Sequence, residues 1–208
     1  LRIDYCHCFF DSFLSRINDS LNNHPMNQKE LRSVLGLFTT GIIVACARKR
    51  NFLAEKPFSQ KLLQNKLIGP KLKEFFAEEF FGMTINSFSS VSLKPALVSF
   101  CIDNKSGNLN LFKKNRYFSL NILSEEQIDL AKGFATPKNS EKWNIEPYFL
   151  GKNGSPIFEK SLGFFECEKH RIIKAGDHHI MIGEVIDFAT INDKNPLLYN
   201  KSGFSFLK

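Results

Sequence analysis

The 208-residue chain has one Trp and three Met, and its five Cys follow no regular spacing. It has no run of on the order of 18 uninterrupted apolar residues, so no membrane-spanning helix is expected. No G-x-G-x-x-G follows a strand-like run, and there is no G-x-x-x-x-G-K-[ST]. Nucleotide binding in the usual α/β manner is thereby excluded. A G-x-S-x-G elbow and an H-E-x-x-H pair are also missing, which removes the serine-hydrolase and zinc-protease readings. Cys6, Cys8, Cys46, Cys101 and Cys167 are odd in number. A disulfide framework is therefore not expected, and a reducing, cytoplasmic setting is. Cys6-His7-Cys8 lacks a second ligand pair at zinc-site spacing, so no metal is expected. Cys101 lies in an apolar run and reads as an inert core thiol. Residues 1–25 lack a basic segment followed by an apolar one, so they are not a signal peptide. They read as an N-terminal extension ahead of Met26.

What is present fits a globular protein with a real core: 43% of residues are hydrophobic and 24% charged. Phe is abundant at 22. With Lys, Asn and Ile also frequent, this matches an AT-rich coding sequence. The net charge of +7 raises a nucleic-acid reading. Residues 48–79 hold eight basic and four acidic side chains and so supply +4 of it. That segment lacks the interleaved aromatic platform that single strands require, so no nucleic-acid partner is expected.

Residues 27–35 read as a short helix, with Leu31, Val34, Leu35 and Phe38 at helical spacing and Gly36 to end it. Ile42 to Ala47 is a short β-branched run, hence a buried strand. Residues 48–79 show patchy helical periodicity broken by Gly69-Pro70 and read as a basic, helical insertion. Strands follow at Ala96–Ile102 and Tyr117–Leu123, with a short helix over residues 107–115 between them. Ser124-Glu125-Glu126-Gln127 has capping-box residues ahead of a helix over 125–133. Residues 136–156 read as loop. Phe164–Ile173 and His179–Phe188 form a hairpin around Lys174-Ala175-Gly176-Asp177. Short strands with turn signals predict a mainly β protein, a split antiparallel Greek-key β-barrel with a few short helices.

Two polar clusters stand out. Thr84, Asn86, Ser87, Ser89, Ser90 and Ser92 fall between two strands, and their hydroxyls with nearby N–H groups are the neutral donors that a phosphate or a flavin edge needs. A Ser-rich turn is the alternative. Asp103-Asn104-Lys105-Ser106 follows the next strand, where Lys105 and Ser106 offer a charge and a hydroxyl to a phosphate. Taken alone, His178 in its turn is as well explained by a surface role.

Gly82-Met83-Thr84-Ile85-Asn86-Ser87-Phe88-Ser89-Ser90-Val91-Ser92-Leu93-x-Pro95 resembles the signature of the flavin reductase family. These are FMN-binding split barrels that include the reductase components of two-component flavin-dependent monooxygenases of the 4-hydroxyphenylacetate type. Further blocks resemble the family in order: Phe38 to Val44, Leu97 to Ser106, Phe118 to Gln127, Gly176-Asp177-His178 to Val185, and Pro196-Leu197-Leu198-Tyr199 with Gly203-Phe204. The resemblance implies a homodimer that binds FMN or FAD and takes hydride from NADH or NADPH. It would supply reduced flavin to a separate monooxygenase. Thr84, Asn86, Ser87, Ser89, Ser90, Val91 and Ser92 would line the flavin. Asp103, Asn104, Lys105 and Ser106 would hold its ribityl phosphate, and His178 would lie near the nicotinamide. The expected organisation is an extension over 1–25 and one domain over 26–208, interrupted at about 48–79. Two features depart from the family: Phe204 where Tyr is common, and the 48–79 segment in place of a short connection. A non-reducing flavin- or haem-binding barrel, or an insertion-damaged inactive homologue, remain alternatives.

Overall fold

A computed structural model describes residues 27–49, 79–136 and 140–207. The expected extension over 1–25 and nearly all of the expected helical insertion lie outside these residues.

The described chain begins with helix α1 (Gln28–Leu35), where the Asn27 side chain accepts the Lys29 N–H at 3.0 Å as an N-cap. The unit that starts at Thr39 is built on β1 (Thr40–Gly41), β2 (Ile43–Arg48), β3 (Phe80–Ile85), β4 (Ser89–Leu93) and β5 (Ala96–Asp103). Helix α2 (Leu109–Lys114), β6 (Tyr117–Ile122), a 3-10 turn (Glu125–Gln127) and α3 (Ile128–Ala135) follow. A second 3-10 turn (Ser140–Asn144), β7 (Tyr148–Leu150), β8 (Pro156–Phe158), β9 (Gly163–Ala175), β10 (His178–Thr190), β11 (Leu198–Asn200) and β12 (Gly203–Ser205) complete it.

Seven strands form one antiparallel sheet in the order β3-β2-β6-β9-β10-β5-β4. The two strands at its ends are joined by only residues 86–88, so the sheet curls until its edges approach each other without pairing. A core of Ile43, Ala45, Phe81, Phe100, Ile102, Phe118, Leu120 and Met181, drawn from five strands, fills the interior. Leu109 and Phe112 of α2 plug one mouth. The Phe112 ring meets those of Phe81, Phe100 and Phe118 edge-on at 4.8, 5.6 and 6.3 Å. This is the split barrel expected from the sequence.

β2 is buried on both faces, which explains its unbroken apolar run. Ile43, Ala45 and Ala47 point into the barrel, while Val44 and Cys46 point out beneath α3, Trp143 and Phe158. Gly82 lets this layer close: a Cβ there would meet the Ala45 carbonyl at 2.8 Å and the Cys46 Sγ at 2.9 Å. The capping box is present, with the Ser124 N–H donating to Gln127 Oε1 at 2.9 Å.

Two expectations are corrected. Residues 136–156 are not plain loop, because the 3-10 turn Ser140–Asn144 and β7 lie there and β7 pairs with β8. The driving term is aromatic burial: Trp143, Tyr148 and Phe158 pack against Phe80 and Phe134. Cys101 is not a core residue either. The core residues of β5 are Val98, Phe100 and Ile102, so the strand's alternation turns Cys101 to the outer face, where it is half-buried.

The β2–β3 hairpin closes at Arg48 and Phe80, which are register partners, and the Lys49 N–H donates to the Glu79 carbonyl at 2.6 Å. Buried Glu79 also accepts from Arg48 Nη2 at 2.8 Å. Lys49 and Glu79 therefore stand side by side at the open end of this hairpin.

Candidate functional site

β5 ends where three polar segments meet. The first is the 86–88 link: Ser87 Oγ accepts the Cys101 N–H at 2.9 Å, which fixes the link beside β5 two residues before Asp103. The second is the loop after β5. Asp103 Oδ1 accepts the Lys105 N–H at 2.7 Å and its carbonyl accepts the Ser106 N–H at 2.9 Å, forming an Asx turn. Ser106 Oγ accepts the Asn108 N–H at 3.3 Å and leads into α2. The third is the β9–β10 turn. Gly176 has φ +59 at the first central position, which a type II′ turn reserves for glycine.

Register brings these segments together. Asp103 lies opposite His178 in the β5–β10 ladder. The Asn104 N–H donates to the Asp177 carbonyl at 2.9 Å and its Nδ2 to the Gly176 carbonyl at 3.1 Å. His178 Nδ1 is 2.7 Å from Asp177 Oδ1. A carboxylate only accepts, so Nδ1 carries the proton and Nε2 is left for another contact. His179 Nδ1 is 2.6 Å from Asn104 Oδ1. Desolvation, then the charges of Lys113 and Lys174, hold the His179 imidazole below the ordinary histidine range.

The other expected residues lie further along. Ser89 pairs with Ser99, Ser90 with Val98 and Ser92 with Leu97, with an irregularity at the exposed Val91. Ser89 is thus four residues, roughly 13 Å, from the Asp103 end, and Ser92 about 20 Å. The Ser-rich segment is an edge strand and not a turn, since no described strand flanks β4 on its other side. Edge strands leave backbone N–H groups unpaired.

Thr84 is set apart. Its hydroxyl donates to the Ala131 carbonyl at 2.6 Å, tying β3 to α3. Ser87 is likewise held by β5. Among the remaining hydroxyls, Ser92 Oγ accepts the Lys94 N–H at 3.2 Å, and Ser106 Oγ also acts as an acceptor. Both keep their own protons for a ligand oxygen. With exposed Lys105 and the N–H groups of β4, this donor set suits an elongated ligand with a polar ring edge and a phosphate.

Sequence reasoning did not single out Ser99, Arg171 or His179. Ser99 and Arg171 share the outer face, each in register with Ile182 of β10. The alternation of β5 marks Ser99 as outward, but the position of Arg171 depends on the irregularity at Ile182/Gly183. A separate groove of about 270 Å³ lies at the far end of β9 and β10, lined by Ile122, Phe164, Phe165, Phe188, Asn192 and Lys194 among others. Phe165 stacks on Phe88 at 5.7 Å, anchoring the β4 end of the 86–88 link to the core.

The model of the flavin reductase like domain matches residues 38–208. The chain belongs to the flavin reductase family. A flavin reductase of Pseudomonas putida is 37% identical over 123 residues, covering 59% of this chain and 72% of that protein. A probable flavin reductase of Rhizobium meliloti is 34% identical over 176 residues, covering 85% of this chain and 48% of that one. The chain thus spans about half the length of some family relatives. The structure of the Streptomyces globisporus NADH:FAD oxidoreductase in complex with NAD and FAD fragments superposes with a TM-score of 0.70 at 26% identity. That match covers 89% of this chain and 98% of the other. Further family relatives are named as an NADH-dependent FMN reductase and as monooxygenase reductase components.

Proposed function

We propose that this chain is an NAD(P)H-dependent flavin reductase that supplies reduced flavin to a separate monooxygenase. The observation that carries the reading is the convergence of Ser87, the Asp103–Ser106 loop and His178 at the end of β5, in a chain of the flavin reductase family. Bound FMN or FAD would supply the redox chemistry, accepting at N5 the hydride from nicotinamide C4. The protein's own task is to hold the two rings in reacting geometry and exclude others.

In this reading Lys105 and Ser106 hold the flavin phosphate, and Asp103 shapes their turn. Asn86, Ser89, Ser90, Val91 and Ser92 line the ring along the β4 edge. Thr84 and Ser87 act one step back, positioning the strand and the link. His178, oriented by Asp177, presents Nε2 to the nicotinamide side. No side chain need act as a strong acid, base or nucleophile. Relatives named for NADH, FMN and FAD support these ligands, and the monooxygenase reductase components support a monooxygenase partner. A homodimer and a cytoplasmic location belong to the same proposal, as does one domain over 26–208 preceded by an extension. Among the described residues, no helix is long and apolar enough to cross a membrane.

The test is direct. Protein, NADH and FMN are mixed and the nicotinamide absorbance is followed. Loss above the protein-free control is expected. Flavin binding without NADH oxidation would make the chain a non-reducing flavin module, and neither would mark an inactive homologue.

A further inference from the structure

Asn104 sits in the loop assigned above to the flavin phosphate, yet three of its polar atoms bond to the hairpin assigned to the nicotinamide. Its N–H donates to the Asp177 carbonyl, its Nδ2 to the Gly176 carbonyl, and its Oδ1 lies 2.6 Å from His179 Nδ1. Because Nδ2 is the donor to Gly176, Oδ1 is the acceptor, and His179 Nδ1 carries the shared proton. Asn104 and Gly176 are exposed and His179 is half-buried, so burial does not lock the turn in place. The β9–β10 ladder it closes and the hydrogen bonds to Asn104 do.

We propose that the Asn104–His179 pair is a positioning device that couples flavin binding to nicotinamide binding. The inference rests on the flavin reductase reading. Seating a phosphate on Lys105 and Ser106 orders the residue between Asp103 and Lys105. Asn104 then holds Gly176 and Asp177 where His178 faces the second ligand. His179 completes the link from the other side: it pairs with Ile102 of β5 on one side and Lys174 of β9 on the other, so its backbone is fixed by two ladders. Linkage requires the effect to be mutual, each ligand tightening the other by the same factor.

The test uses the full chain with FMN and NAD+ as probes. The dissociation constant for FMN is measured by flavin fluorescence, without and with saturating NAD+. In the unaltered protein, NAD+ is expected to tighten FMN by about fivefold or more. In His179→Phe, which keeps a ring but loses the donor, the ratio should fall to about one, while FMN affinity alone changes less than about twofold. His179→Asn restores an N–H donor and should recover part of the ratio. Asn104→Ala should lower the ratio as His179→Phe does, whatever it does to FMN affinity alone, and in the double variant the ratio should fall no further than in either. An unchanged ratio in both single variants overturns the proposal. So does a loss of affinity for both ligands at constant ratio, which marks a merely structural role. If the unaltered protein neither binds FMN nor oxidises NADH, the reductase reading itself fails.

Discussion

Ser87 clasps one residue of the neighbouring strand: its Oγ accepts the Cys101 N–H at 2.9 Å and lies 3.4 Å from the Cys101 carbonyl. The hydroxyl replaces a ladder rung where β4 has not yet begun. Ser87→Ala should free the link between β3 and β4. With about 1 kcal/mol for the stronger bond, flavin affinity should weaken by about fivefold. Flavin titration checks this, and thermal melting should show little loss.

The outer face of β5 also carries Cys101, half-buried, whereas Cys46 and Cys167 are fully buried. Burial pushes both buried thiols up, Cys167 to about 12. An alkylating reagent near neutral pH should modify Cys101 and spare Cys46 and Cys167. Peptide mapping by mass spectrometry reads the result, and bound FMN should slow the Cys101 reaction if the flavin lies across this face.

His178 is expected to serve the nicotinamide more than the flavin. His178→Ala should raise the KM for NADH by about tenfold, the value of one good hydrogen bond. FMN affinity should stay within about twofold. Equal loss of both, or no change in either, in steady-state titrations would remove His178 from this role.

Tyr148 contributes to the alkaline limit together with the buried thiols of Cys46 and Cys167. Burial, then the charges of Cys46 and Glu79, raise its phenol from 10.0 to about 12. The folded state therefore holds its proton more tightly than the unfolded one. The stability this gives is complete below pH 10 and is lost as pH rises to about 12. The change should be about 2–3 kcal/mol. Urea unfolding across that range should show the decline, and Tyr148→Phe should lessen it, the share of Cys46 and Cys167 remaining.

Glu79 is 2% exposed and bonded to Arg48. Glu79→Ala removes the carboxylate that Arg48 Nη2 meets at 2.8 Å and should cost about 1.5–3 kcal/mol, the range for a hydrogen bond to a charged group. Replacing Arg48 with Met in the same chain should recover much of it. Chemical denaturation of the single and double variants measures both effects.

Much of the barrel was legible because its strands carry plain signals. β2 is an unbroken apolar run, β5 alternates, and the β9–β10 turn has its glycine. The hairpin β7–β8 was not, because its strands are three residues each and form through the rings of Trp143, Tyr148 and Phe158. Such packing has no local period. At the candidate site, residue types pointed to both polar clusters, but not to what each hydroxyl does. Thr84 and Ser87 spend theirs on backbone carbonyls and amides from distant segments, Ala131 and Cys101. Cys101 was misplaced because an apolar composition does not say which face a strand residue takes, and only its neighbours Phe100 and Ile102 settle that.

The single rung between Lys49 and Glu79 makes the β2–β3 hairpin a port. Whatever joins its two sides is transparent to strand register, and the entropy of closing such a loop grows only slowly with its length. Phe80, at the port, and Ile85, beside the Asn86–Phe88 link, are the two ends of β3. The six residues of β3 separate the port from that link. A family barrel can be fitted with a new appendage there without redesigning its chemistry, and a two-residue turn spliced across Lys49 and Glu79 should return the bare barrel.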